Sequence, residues 1–567
     1  KAGRVSGPSR VRIMKHSSGR ARGLRLLLAL AVRSRAAPAL PQLRAAGLQG
    51  PSPLFEVDLG QGAEAATGLH MVLDRQARRL RAEPGGAPAL AAAALTDRLP
   101  ETGWAELRVE APDGPGDVRH YAAGFLEGFL TAARISEFQS NLLPLLPARG
   151  LDELQARVLV NLRKLRIRTG LRRLPWRPPA SPYWRRARLA LLQLWGLLDG
   201  YNHRARLLGH PPLTFLDMLL LNRHKELPEL LASDEPTPRL RGPAADRDWE
   251  RRLAARGHCS ALVRLTNNAQ DLLLGHTTWA DYGSMTRVFK RYNFGAEGKG
   301  AFSSYPGCIS STDDFYVLGS GLAVADTSLE VLDARLRKQE RSQVPGFLHI
   351  VTVNSLARTG PHWASLFTTQ GGGTGSAQWL VVDYARFQPG QPPQQGALQV
   401  IERLPGLILR ADRSSELAQD GYWASYNRPS FPEARRLSGF EAAERTAGEL
   451  YSVQGAPRAR IFARHAKEVS GLASMRHLMR LNTFPDDGGF GPGHAISARL
   501  DLDSRGPIPN GGIDAKVTGR CLAMALQCQA VSGPTHDQQP VFRWRDKGSD
   551  VFPGWPRLGL PDVWNFT

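Results

Sequence analysis

Cys259 heads the stretch of this chain best suited to chemistry. It opens the run Cys259-Ser260-Ala261-Leu262-Val263-Arg264-Leu265, and His276, Thr278 and Trp279 close the apolar run that follows. A thiolate is a nucleophile at modest pH, and a neighbouring base supplies it by taking the thiol proton. A cysteine at the head of a strand is also a common small core residue, so the thiol alone decides nothing. Other catalytic signatures are absent: there is no G-x-S-x-G elbow, no H-E-x-x-H and no C-x-x-C, and Gly371-Gly372-Gly373-Thr374-Gly375 has no P-loop lysine after it. No Cys/His grouping has zinc spacing, so neither a metal nor a cofactor is expected.

The elements that would position Cys259 follow from periodicity. Residues 259–265 alternate apolar and polar, Thr266-Asn267-Asn268-Ala269-Gln270 is turn-like, and 271–279 is apolar again, which predicts a β-hairpin. The return of its second strand predicts Cys259 and His276 as neighbours. Asp326 and Thr327 follow Gly321-Leu322 at the end of another strand and are placed in the same pocket. Further strands are predicted within 301–329 and at 347–356, 378–384 and 398–411. Helices are predicted at 281–291, 361–368, 469–481 and 516–531, the last holding Cys521 and Cys528 ~10.5 Å apart along its axis. Residues 51–232 read as mixed, mostly helical, with Leu191, Leu192, Leu194, Leu197 and Leu198 on one buried face.

Charge divides the chain further. The net charge is +21 over 567 residues. It is carried entirely by two acid-free blocks, 1–50 with 11 Lys or Arg and 163–188 with 10. Residues 1–50 have the order of a weak signal peptide, a basic start before the apolar core Leu24 to Val32. Residues 233–258 are Pro- and charge-rich and read as a linker ending at His258. The 163–188 block interleaves Arg with Trp176, Tyr183 and Trp184, a mixture that nucleic-acid binders use. No RNP, zinc-finger or helix-turn-helix signature accompanies it, so a solvated helix face is the reading and nucleic acid is not an expected partner. No apolar run reaches 18 residues, so no spanning helix is expected.

Ordered stretches across 51–567 carry a resemblance. They include His258-Cys259-Ser260-Ala261-Leu262, Phe302 to Gly307, Asp313 to Leu322, Gln378 to Tyr384, Tyr422 to Asn427, Pro457 to Phe462, Gly511-Gly512-Ile513-Asp514, Ser532 to Thr535 and Pro561 to Trp564. Together they resemble the phospholipase B-like family, the lamina-ancestor group, itself similar to the N-terminal-nucleophile hydrolases. The resemblance implies an α+β fold, an αββα sandwich with two stacked antiparallel sheets covered by helices. It implies a core shared by 51–232 and 259–567, and cleavage of the His258–Cys259 bond by the chain itself. The freed α-amine of Cys259 then acts as base for its own thiol. Asn427-Arg428-Pro429-Ser430-Phe431 resembles an N-x-P-x-F motif whose Asn contributes to an oxyanion hole, and Arg458 resembles a late active-site Arg. His276, Thr278 and Trp279 are then assigned to orienting Cys259 and lining the pocket. The implied activity is hydrolysis of lipid acyl ester or amide bonds in a lysosomal lumen or outside the cell, with a homodimer as a further expectation. One glycosylation sequon, Asn565-Phe566-Thr567, is present. The alternatives are an impaired hydrolase that carries lipid, or a basic protein that binds nucleic acid or anionic membrane. Departures from the family pattern fall at His258, Thr277, Ser355, Ser376 and Ala377.

Overall fold

A computed structural model describes residues 56–74, 79–85, 90–145, 151–171, 178–231, 259–338, 344–486 and 491–567. The leader 1–50, the linker 233–258 and His258 lie outside the described residues, as does Trp176.

The first described elements are strands, not helices. Glu56–Leu59 (β1), Gly68–Asp74 (β2), Arg79–Pro84 (β3), Ala91–Arg98 (β4) and Trp104–Glu110 (β5) precede the first long helix. The mostly helical reading of 51–232 holds only after residue 115. There Gly116–Leu130 (α1) and Pro182–Leu208 (α2) cross at unusually close range. A Cβ on Gly124 would stand 1.9 Å from the Gln193 carbonyl oxygen, and one on Gly196 1.9 Å from that of Tyr121. Glycine is needed at this crossing because the two backbones occupy the space of a side chain.

The hairpin forms where alternation places it, as Cys259–Leu265 (β6) and Leu272–Asp281 (β7). The turn between them uses positive φ at Asn268 and Ala269. Cys259 lies opposite Thr278, and His276 lies opposite Ala261. The expected Cys259–His276 adjacency is thus one pair out of register, although both residues keep the same face of the sheet. Then come Val288–Asn293 (β8), Lys299–Ser304 (β9), Phe315–Leu318 (β10), Leu322–Ser328 (β11), Gly346–Leu356 (α3), Gly360–Thr369 (α4), Ala377–Asp383 (β12), Leu398–Leu404 (β13), Leu407–Asp412 (β14) and Tyr422–Ser425 (β15). Pro457–His465 (α5), Leu472–Met479 (α6), Asn510–Gly512 (β16), Asp514–Thr518 (β17) and Gln529–Ser532 (β18) follow.

Twelve strands form one sheet in the order β1-β3-β2-β4-β5-β8-β9-β10-β11-β12-β13-β14. A second sheet runs β15-β6-β7-β17-β18, with β16 also paired to β7. The large sheet is mixed, which corrects the expectation of purely antiparallel sheets: β1 pairs β3 in parallel, and β5 pairs β8 in parallel. A parallel pair needs a long return path. Between β5 and β8 that path holds α1, α2 and the β6–β7 hairpin.

Side-chain alternation divides the core. Phe315, Val317, Ala323 and Ala325 of the large sheet meet Ala261, Val263, Leu272 and Leu274 of the small one. Tyr316, Leu318 and Val324 point the other way, toward Tyr121 and Phe125 of α1, Val353 of α3 and Trp363 of α4. On the far face of the small sheet, Leu262, Leu273 and Val517 pack with Phe462 of α5 and Met475 and Met479 of α6.

Three sequence expectations fail locally. Residues 347–356 form α3, not a strand, with Phe347, Leu348, Ile350 and Val353 buried at helical spacing. Residues 281–291 give a single turn, Tyr282–Ser284, and then β8. Residues 516–531 give β17, a five-residue helix Arg520–Met524 and β18, so Cys521 and Cys528 do not share a helix. Among the described residues no helix is long and apolar enough to cross a membrane.

Candidate active site

Pairing and pleat put Cys259, Thr278, His276, Asp514 and Lys516 on one face of the small sheet, since Lys516 lies opposite His276. Ala261 and Leu274 on that face belong to the core between the sheets, so the thiol is at the end of the inter-sheet layer. Cys259 is buried. Burial pushes its thiol up to about 11, against the opposing pull of Lys225 and Lys516. A thiol held there has little thiolate at neutral pH, so it needs a base to attack.

Arg458, from the first turn of α5, is fastened to the nucleophile residue. Its Nη1 donates to the Cys259 carbonyl oxygen at 2.8 Å and to Ser260 Oγ at 3.1 Å, and its Nη2 donates to Asn427 Oδ1 at 2.6 Å. The guanidinium lies over the Trp279 ring, 4.4 Å from the centroid. Burial, reinforced by Arg428, lowers its pKa to about 9. Asn427 takes a left-handed φ of 66°, which asparagine tolerates better than most residues. Its Nδ2 donates to the Ser328 carbonyl oxygen at 2.6 Å, so the amide assigned to an oxyanion hole by resemblance is already engaged. Trp279 is fixed by its Nε1 donating to the Ile496 carbonyl at 2.9 Å.

His276 donates from Nε2 to the Asp326 carbonyl oxygen at 2.8 Å, which leaves Nδ1 buried without a hydrogen-bond partner among the described residues. Burial, then Lys516 and Lys225, hold it well below the usual imidazole range, so it is neutral. Thr278 Oγ1 accepts from Lys516 Nζ at 2.5 Å, and its N–H donates to Asp514 at 3.2 Å. Thr327 Oγ1 meets Ser425 Oγ at 2.7 Å. Thr277 faces the opposite side of the sheet and donates to the Met479 carbonyl.

The sequence reading named Asp326 but missed the other charges that surround this group. Lys225 Nζ reaches Asp314 at 2.8 Å and Asp326 at 3.2 Å. Burial, then Asp314, raises the Asp326 carboxyl well above its ordinary value. Arg287 binds both Asp313 and Asp514, and all three are buried. Asp314 and Asp514 stand inside stretches that carried the resemblance, so those stretches held the signal. Lys225 and Lys516 had none, because only the folded register brings them in. Two surface clefts lie away from Cys259. One, of about 90 Å³, is lined by His120, Leu189, Phe302, Leu318 and Ser355, and the other, of about 270 Å³, by Arg108, Arg291, Lys299 and Leu526.

A family model described as Phospholipase B matches residues 91–567. "Putative phospholipase B-like 2" of Homo sapiens is 36% identical over 556 residues, covering 90% of this chain and 90% of its own length. "Phospholipase B" of Crotalus adamanteus is 31% identical over 488 residues, 83% of this chain and 86% of its own. "Phospholipase B-like 1" of Homo sapiens is 32% identical over 481 residues, 82% and 84%. The matched span contains Lys225, the nucleophile hairpin, Asn427, Arg458 and Lys516, so likeness extends through the whole candidate site, and the chain belongs to the phospholipase B family.

Proposed function

We propose that this protein hydrolyses acyl ester or amide bonds of lipids with Cys259 as an N-terminal nucleophile, on an αββα sandwich of the N-terminal-nucleophile type. The observation that carries the reading is convergence: Arg458, remote in sequence from Cys259, bonds both the Cys259 carbonyl and Asn427 Oδ1. Family membership supports the lipid substrate class.

While the 258–259 peptide is intact, the Cys259 nitrogen is an amide and no base. Self-processing begins when Cys259 Sγ attacks the carbonyl carbon of residue 258. The C–N bond breaks, the thiol proton passes to the nitrogen, and water then hydrolyses the thioester. The freed α-amine, ordinarily near ~7.7–8.0, lies among Arg458, Lys225 and Lys516, and these cations lower it further. It takes the thiol proton, and the thiolate attacks the substrate carbonyl. The resulting ammonium protonates the departing alcohol or amine, and water releases the acyl group from sulfur. Asn427 stabilises the oxyanion once substrate displaces its bond to Ser328, and until then it holds Arg458 on Cys259. A low amine pKa suits an acidic lumen, which we propose as the working compartment.

The test is turnover by purified, processed protein on a panel of phospholipids and N-acyl amides. Hydrolysis of at least one member is expected, and it should be lost in Cys259→Ala. No turnover of any member overturns the proposal, and saturable lipid binding without turnover marks a carrier instead.

A further inference from the structure

The function proposed for Cys259 leaves the second basic block unexplained. The helix Leu151–Arg168 is amphipathic in an unusual sense. Leu154, Val158, Leu162 and Leu165 are buried, packing toward the helices Phe215–Asn222 and Leu227–Leu231. Arg157 Nη2 adds a bond to the Leu230 carbonyl at 3.4 Å. The opposite side exposes Arg163 and Lys164, and beside them Val160 and Ile167 at 50% and 54% exposure. No acidic residue occurs from 154 to 188.

We propose that this face docks the protein on an anionic lipid surface. Cations interleaved with exposed aliphatic residues suit a headgroup layer, where the charges meet lipid phosphates and the aliphatic groups enter the acyl boundary. Nucleic acid would instead need free aromatic faces to stack on bases. Among the described residues, the two aromatics of the block are engaged elsewhere. Tyr183 is buried with its hydroxyl on His349 Nδ1 at 2.7 Å, and Trp184 is covered by Arg168 at 5.1 Å from its ring centroid. Further along the block, among the described residues, Arg188 is spent on Asp117 and Arg186 bonds the Ala296 carbonyl at 3.3 Å, while Arg185 is exposed. The location is apt. The segment beneath the helix, residues 215–231, also delivers Lys225 to Asp314 and Asp326 beside the nucleophile. A lipid surface held on this helix is therefore one layer of chain away from the charges around Cys259. The proposal rests on a lipid substrate and supplies the source, a membrane and not a dispersed monomer.

The test is cosedimentation of the full chain with phosphatidylcholine vesicles, with and without phosphatidylserine. Partition onto the anionic vesicles is expected. The combined Arg163→Gln, Lys164→Gln variant should bind roughly thirtyfold more weakly, from two surface charges lost. The uncharged Val160→Ser, Ile167→Ser variant should also weaken it, severalfold. Neither set should change thermal stability or turnover of a monomeric short-chain ester, while turnover of vesicle lipid falls with partition. Vesicle binding unaffected by both sets, as when the 1–50 block carries it, overturns the proposal. So does retention on duplex DNA with none on vesicles. A protein without any turnover refutes the proposed hydrolysis, and its partition still decides the docking.

Discussion

Cys259 and Arg458 can be tested one atom at a time. Cys259→Ala removes the sulfur that must attack residue 258, so no fragment beginning at residue 259 should appear and no lipid should be turned over. Cys259→Ser keeps a hydroxyl able to make the same shift, and cleavage should persist. N-terminal sequencing distinguishes the outcomes, and unchanged cleavage in Cys259→Ala would rule out self-processing. Arg458→Lys keeps a charge but loses the fork that spans the Cys259 carbonyl and Asn427 Oδ1. Leaving one of these buried acceptors unmet costs ~1–3 kcal/mol, expected as a matching fall in kcat/KM with the chain still folded. The residues with chemistry in their names were legible at this scale. The lysines were not, since a lysine has no motif until a partner appears beside it.

The α1–α2 crossing offers a clear test among elements. Gly124→Ala puts a methyl 1.9 Å from the Gln193 carbonyl oxygen, and backbone cannot swing aside. The loss should be at or above ~1–3 kcal/mol, the usual cost of overpacking, read as a lower denaturation midpoint. Asp514→Asn strips one carboxylate from buried Arg287 and Lys516, and ~3–5 kcal/mol is expected for breaking such a pair. The β6–β7 hairpin and β12 were readable because alternation and turn residues agree there, whereas the single strand expected at 398–411 is a hairpin, β13 and β14, that turns at Pro405-Gly406. The strand expected at 347–356 became α3 because a helix buried among Tyr183, Trp363 and Phe367 can be apolar on most sides, and Ile350, Val351 and Val353 imitate a strand run. The converse misled at β8. Val288, Phe289 and Lys290 are all buried, so both faces of that strand are covered and its alternation is lost. No periodicity marks β5 and β8 as partners, since residues 111–287 separate them.

For the molecule as a whole, buried acids and histidines pull stability in opposite directions with pH. Burial pushes the Asp281 carboxyl up to about 7, although it accepts bonds from the Gly283 N–H and Trp555 Nε1. Unfolded, it titrates near ~3.9, so the folded state holds its proton more tightly. Its contribution is full below about pH 4 and lost as pH rises toward 7. Asp281→Asn mimics the protonated form, and its Tm relative to the parent should rise steadily between those limits. Burial and Arg119 push His120 down to about 3, so its contribution is full above ~6.5 and lost as pH falls. The parallel β5–β8 pairing carries a different consequence. Strands from before and after residues 232–258 are joined in one ladder, meeting at β5 and β8, so a protein cut once in that stretch would keep its shape but not its single-chain memory. Its halves would comigrate in native gels and part in detergent. Once parted, they would have to find each other again by collision, at a rate set by concentration. Folding would have to precede the cut, and maturation would run in one direction only.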